Sequence, residues 1–322
     1  MIRAAGFGTC CSAARTMFDA ATCAGAIMNE VVNTESQNPA FHDAILMMLV
    51  DLDQLCRANN LNYQLAAGTL LGAVREQRII GWDKDADICM LRAEFERFMP
   101  AAESQLPEKY FLQHQGSESS MFSLVTKLRL RGTRRVFAGR RETSNTRSEG
   151  HKMHEGIAVD IFPFDAVQPN TAAGRLHMWL CANLKPLLIL RSVGDAKLIM
   201  GANKPLWFRA IAWLCYQPLR LFPKRHIMAS YRWLVTYYSR KQQPTGFVAC
   251  LVSLPRKSSA RLPRIRPLHS LQHTVLGKLG EHEFPLPHNY HEVLKNLYGN
   301  YVEPPPKSER KLGITVDFAA TD

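Results

Sequence analysis

Trp82-Asp83-Lys84-Asp85-Ala86-Asp87-Ile88 is the stretch on which the reading of this chain turns. Successive side chains of a strand point to opposite faces, so Asp85 and Asp87 project together while Ala86 and Ile88 pack inward. Two carboxylates held side by side repel each other unless a cation lies between them. Oxygen donors of this kind suit Mg²⁺ or Mn²⁺, which also grips phosphate oxygens. An Asp-x-Asp pair recurs by chance, so its surroundings decide. A calcium loop would use Asp83, Asp85, Asp87 and Glu94 at its first, third, fifth and twelfth positions. Its sixth position requires Gly and here is the β-branched Ile88, and Met90 is a poor fit at the eighth, which argues against that loop.

Upstream, Tyr63 to Ala67 reads as a short strand, Gly68-Thr69 turns the chain, and Thr69 is placed to cap a helix from Leu70 to Arg75. A glycine turn opening a helix offers backbone N–H groups to a phosphate. Downstream, Ile157 to Phe162 is apolar except for Asp160. A buried lone carboxylate is costly unless it is paired or binds a metal. Three strand-borne carboxylates and a Gly-Thr turn form a constellation more specific than any of its parts.

Leu65-Ala66-Ala67-Gly68-Thr69-Leu70-Leu71-Gly72-Ala73-Val74-Arg75 followed by Gly81 to Ile88 resembles the signature of the LicD/fukutin-related family. Ile157-Ala158-Val159-Asp160-Ile161-Phe162-Pro163-Phe164-Asp165 looks like that family's second block. Phe284 to Tyr290 and Leu297 to Tyr301 look like its C-terminal block, so the resemblance runs from about residue 40 to 310. It implies an α+β fold: a nucleotidyltransferase-like core with a small mixed sheet carrying Asp85, Asp87 and Asp160, plus a mainly helical basic subdomain. It also implies transfer of a phospho-substituent from a CDP-activated donor to a glycan or glycolipid such as lipopolysaccharide, with release of CMP. Phosphocholine from CDP-choline is the usual cargo in bacterial members. By the same resemblance Asp85, Asp87 and Asp160 are the catalytic metal-binding triad for Mg²⁺ or Mn²⁺, with Gly68 and Thr69 at the donor phosphates. The chain departs from the pattern at Lys84, where the family usually carries a third acidic residue; that lysine either points outward or eases charge repulsion. The segment before Phe284 is also a poor match.

Further site candidates follow from their positions. Arg75 ends the helix after the Gly-Thr turn and either reaches a phosphate or pairs with Asp83 or Glu76. From Phe122 to Arg131 the chain alternates, putting Lys127 and Arg129 on the polar face of a strand, in reach of a donor or solvated. His151 and His154, just before the Asp160 strand, are candidates for proton transfer or phosphate binding. Trp82 either packs to hold the Asp loop, to which Asp83 belongs, or stacks on a cytosine. His269 and His273 have helical spacing but lack further ligands for zinc.

Four segments are expected: a poorly ordered or weakly helical lead-in over 1–38, a catalytic core over 39–168, a basic aromatic helical subdomain over 169–268, and a C-terminal block over 269–322 that packs back on the core. Helices are read at Phe41 to Asn60, Arg92 to Glu103 and Leu294 to Tyr298 from their apolar spacing. Arg134 to Gly150 reads as a polar mobile loop, and Pro255 to Pro267 as a basic link.

The net charge of +12 is concentrated. Between Arg175 and Arg266 there are 17 Lys or Arg and one acidic residue, Asp195, a net +16, and the remaining 23 basic and 27 acidic residues give −4. Together with Trp, Phe and Leu, this points to peripheral contact with an anionic membrane, the alternatives being a solvated face and a helical core. No nucleic-acid motif accompanies the charge, so no nucleic acid is expected. Eight cysteines without a C-x-x-C pair read as reduced thiols. No stretch reaches the ~18 apolar residues of a span, and no signal sequence is evident. These features predict a cytoplasmic enzyme peripheral on the inner membrane, or a Golgi-lumen enzyme if the source is eukaryotic. The competing readings are an Asp-x-Asp glycosyltransferase, which the Gly-Thr entry disfavours, and a non-catalytic basic membrane-binding module, which the intact carboxylate set disfavours.

Overall fold

A computed structural model describes residues 39–118, 121, 124–137, 153–193, 206–241, 245–253, 265–310 and 312–320. The lead-in over 1–38, His151, most of the Arg134 to Gly150 stretch and most of the Pro255 to Pro267 link lie outside the described residues.

Helix α1 (Pro39–Ala58) buries Phe41, Ile45, Met48, Leu49, Leu52, Leu55 and Cys56, the spacing of a single apolar face. Each large apolar side chain so buried contributes roughly 1.5–3 kcal/mol. Asn60, at φ +50°, turns the chain out of it. Strand β1 (Gln64–Leu65) and helix α2 (Ala67–Arg75) follow, then β2 (Ala86–Leu91), α3 (Arg92–Gln105), β3 (Tyr110–Gln113), β4 (Thr126–Leu130) and β5 (Arg134–Phe137). Strand β6 (Ala158–Val167) extends well past Phe162, where the apolar run was expected to end.

The mixed sheet runs β1-β2-β6-β4-β3, with β2 and β6 parallel and the other neighbours antiparallel. It is larger than the small sheet expected, because β7 (Phe247–Ala249) pairs with the end of β6 and β8 (Ile265–Pro267) pairs with β7. Residues 169–268 are therefore not helical throughout. Helices α4 (Ala172–Val193), α5 (Leu206–Arg220), α6 (Lys224–Val235) and α7 (Tyr237–Arg240) precede these two strands.

Alternation gives the sheet two unlike faces. Ala86, Ile88 and Met90 of β2, Leu128 and Leu130 of β4 and Val159 and Ile161 of β6 enter the principal core with α1 and with Phe98 of α3. The other face is divided. Toward the C-terminal ends of β2 and β6, Cys89 and Phe164 pack with Val248, Cys250 and Leu271, the last from helix α8 (His269–Gln272). Toward the N-terminal ends it carries charge.

The C-terminal segment comprises the hairpin β9 (Thr274–Leu279) and β10 (His282–Pro287), helix α9 (Tyr290–Tyr298) and strand β11 (Ile314–Asp317). Leu279, Phe284, Leu286, Val293, Leu294 and Ile314 are buried in the same core as α1. Buried Gln64 donates from Nε2 to Ser270 O at 2.8 Å, tying β1 to α8. Strand β11 pairs with β5, so the first residues of the presumed loop at Arg134 are a strand. Cys56, Cys89, Cys181 and Cys250 are free and buried.

Candidate active site

Register assembles the charged half-face. Asp87 of β2 lies opposite Asp160 of β6, and Asp160 lies opposite Lys127 of β4. With strands about 4.8 Å apart, carboxylate, carboxylate and ammonium form a row across three strands. Asp85 stands just before β2, on the side of Asp87. Lys127 Nζ bonds both oxygens of Asp160.

Gly68 and Thr69 lie inside the first turn of α2 rather than before it, and Thr69 makes no side-chain cap. Its hydroxyl is buried and accepts the Asp87 N–H at 2.8 Å. The Gly-Thr step thus locks the start of β2 to the start of α2. A Cβ at Gly68 would sit 2.1 Å from Asp83 Oδ2, so glycine is what allows Asp83 to close over the helix. Asp83 Oδ1 accepts the Lys84 N–H at 3.0 Å.

The carboxylates raise one another's proton affinity. Burial, then the charge of Asp85, pushes the Asp83 carboxyl up to about 7, against the opposing N–H and charge of Lys84. Asp85 is raised by burial and then by Asp160, with Arg135, Lys127 and Arg129 opposing. Asp87 is raised well above the carboxylate range by burial and by Asp85, Asp160 and Asp83. Lys84 therefore eases repulsion at Asp83, one of the two roles its position allowed. A set of desolvated carboxylates with excess proton affinity is a site that demands positive charge.

The expected metal triad is not closed into a ligand set: among the described residues no group of three or more His, Cys, Asp or Glu is placed to hold a metal ion. Side-chain cations take up part of the charge, with Lys127 on Asp160 and the Arg135 guanidinium 3.8 Å from Asp85. The donor set itself, all oxygen and short of positive charge, fits a hard divalent ion.

The remaining candidates separate into those at the row and those built into the frame. Arg129 is not on a solvated polar face. It is 7% exposed and donates to Gln113 Oε1 and to Gly156 O, each at 2.7 Å. Burial and Arg135 lower its pKa to about 10, while Asp160 and Asp85 act the other way. Arg75 takes the structural alternative: it pairs with Glu76 at 2.7 Å, donates to Tyr301 O and lies 5.8 Å from the centre of the Trp82 ring. Arg310 lies 5.5 Å from the same ring, so Trp82 packs between two guanidinium groups. His154 stacks on Phe111, and its Nδ1 accepts the Gly156 N–H.

Two groups escaped the sequence reading. Arg135, carried by β5, donates to Lys84 O at 2.7 Å and faces Asp85. Nothing local marks it: β5 is held by its pairing with β11 and by the Arg135 N–H, which donates to Glu155 O at 3.0 Å. Asp165, fully buried on β6, takes two bonds from Arg92, 2.8 and 2.7 Å long, and a third from Ser239 at 3.1 Å. An Asp in an apolar run just before the helical segment was the available signal.

Residues 60–179 match the family described as "LicD/FKTN/FKRP, nucleotidyltransferase domain". The chain is 24% identical over 274 residues to the "Lipopolysaccharide cholinephosphotransferase LicD" of Haemophilus influenzae, covering 80% of this chain and 88% of that protein. A 60-residue stretch is 37% identical to "Uncharacterized protein RT0683" of Rickettsia typhi, covering 18% and 19% of the two chains.

Proposed function

We propose that the chain, whose residues 60–179 match the LicD family, is a metal-dependent phosphotransferase that moves phosphocholine from CDP-choline to a hydroxyl of a cell-surface glycan or glycolipid such as lipopolysaccharide. The observation that carries the reading is the row Asp87–Asp160–Lys127 with Asp85 beside it, inside the matched segment. The resemblance to a lipopolysaccharide cholinephosphotransferase supports the cargo and the acceptor class.

Asp85, Asp87 and Asp160 would hold Mg²⁺ or Mn²⁺. When bound, the ion would neutralise phosphoryl charge and polarise the phosphorus–oxygen bonds. In the reaction an acceptor oxygen bonds to the choline-bearing phosphorus. The bond from that phosphorus to the bridging oxygen breaks, and CMP leaves with the electron pair. A carboxylate of the cluster takes the hydroxyl proton. Lys127, released from Asp160 to the donor phosphates, would offset their charge. Arg129 and Arg135 hold a fixed positive field behind the row. Thr69 fixes Asp87 through the β2 backbone.

The test is CMP release from CDP-choline, CDP-ribitol and CDP-glycerol with a glycolipid extract as acceptor, in Mn²⁺ or Mg²⁺ and in EDTA. Metal-dependent CMP from CDP-choline, lost in Asp85→Asn, is expected. CMP from none of the three, or full activity of Asp85→Asn, refutes the reading.

A further inference from the structure

The basic helices bury Met178, Cys181, Leu188, Tyr231 and Val235 in a core of their own, yet several of their large apolar side chains face solvent. On α5, Trp207, Ile211 and Leu214 follow one another at helical spacing, and they are 65%, 54% and 66% exposed. Such a stripe on a globular protein normally faces the core. Leu221 and Phe222, in the turn after α5, are also exposed, as are Trp179 on α4 and Trp233 on α6. Helix α4 packs against both α5 and α6. Exposed Arg175, Arg225 and Arg232 lie among the aromatics, and the Arg240 guanidinium rests 5.0 Å from the Trp233 ring centre.

Charge selects the partner. The stretch Arg175 to Arg266 carries a net +16 with Asp195 as its sole acid, a balance suited to a continuous anionic surface. Tryptophan beside Lys and Arg is the composition that settles at a membrane–water interface. Among the described residues no helix is long and apolar enough to cross a membrane, so insertion would be shallow. Four of the chain's five tryptophans lie on these helices and are each more than half exposed.

We propose that α4, α5 and α6 form an interfacial docking surface for an anionic lipid bilayer, with the Trp207–Ile211–Leu214 face of α5 entering the headgroup region and the surrounding arginines resting on lipid phosphates. Strand β6 connects this surface to the carboxylates. From Asp160 to Val167 it spans about 23 Å at ~3.3 Å per residue, and α4 begins five residues later, at Ala172. The docking inference itself does not depend on the transfer chemistry, because lipid binding is read without a donor.

The experiment uses the full chain with vesicles of phosphatidylcholine alone and of phosphatidylcholine mixed with phosphatidylglycerol. Flotation with the mixed vesicles, weakening as salt rises, is expected, with little on the neutral ones. Lipids brominated near the headgroup should quench part of the tryptophan emission of the unmodified protein, that of Trp207 above all. The triple variant Trp207→Ser, Ile211→Ser, Leu214→Ser should lose vesicle partitioning by about tenfold or more with its melting temperature unchanged. The quenching measurement decides the question even if that variant fails to fold. Flotation without quenching, or no binding to anionic vesicles, overturns the proposal. So does concentration-dependent dimerisation of the wild type that the triple variant abolishes, which would assign the face to a second copy of the chain.

Discussion

Replacing Asp83 with Asn removes one negative charge from the carboxylate cluster and leaves its shape. Asparagine keeps the oxygen that accepts the Lys84 N–H and fits the space that Gly68 leaves open. The Asp83 carboxyl stands at about 7 against an ordinary 3.8, chiefly from burial and then from Asp85. That displacement is equivalent to about 4 kcal/mol, and the partial exposure of Asp83 reduces it to about 2 kcal/mol. The folded state binds this proton more tightly than the unfolded state does. The extra stability is therefore complete below pH 3.8 and is lost as pH rises through about 7. Asp83→Asn should exceed the wild type by about 2 kcal/mol above pH 7 without added metal, or about 3 °C in melting temperature for a chain of this length. The gap should shrink steadily as pH falls from 7 toward 4. Thermal melts of both proteins in EDTA across that range provide the assay. A variant no more stable than wild type at pH 8, or a gap that widens on acidification, refutes the claim that the cluster is charge-frustrated.

Arg92→Ala leaves the fully buried Asp165 without its two guanidinium bonds and should cost about 3–5 kcal/mol, measured by urea unfolding. Thr69→Val removes the acceptor of the Asp87 N–H. It should cost about 1–3 kcal/mol and lower kcat more than it raises the KM for acceptor, because the carboxylate moves while the acceptor-binding surface does not. Unchanged kcat in that variant would show that the lock between α2 and β2 does not position Asp87.

The parts of the site that were legible in sequence are those carried by short-range geometry. Strand alternation put Asp85 and Asp87 on one side, and the same alternation placed Lys127 on the charged face with them. The closeness of Gly68-Thr69 to the carboxylates was also readable, but its form was not. Thr69 looked like a helix cap, and it serves instead as an acceptor for the strand beside it. A hydroxyl satisfies either kind of N–H, and only the packing of α2 on β2 chooses between them. Arg129 illustrates the opposite case. Its position on the polar face was right, but its solvation was not, since Gln113 and the Gly156 carbonyl hold it in the interior. Arg75 went to Glu76 and Tyr301 because the C-terminal segment folds back over α2.

The sequence by itself determined the helices with a clear apolar period, the strands with two-residue alternation and the resemblance to the LicD family. These rest on residues within a few positions of one another, where backbone geometry leaves few options. The tertiary structure decided the row Asp87–Asp160–Lys127, the placing of Arg135 beside Asp85, and the outward face of α5. Strand register joins residues dozens of positions apart, so no local pattern encodes it. An amphipathic pattern tells which side chains share a face but not whether protein or solvent meets that face, and on α5 it is solvent.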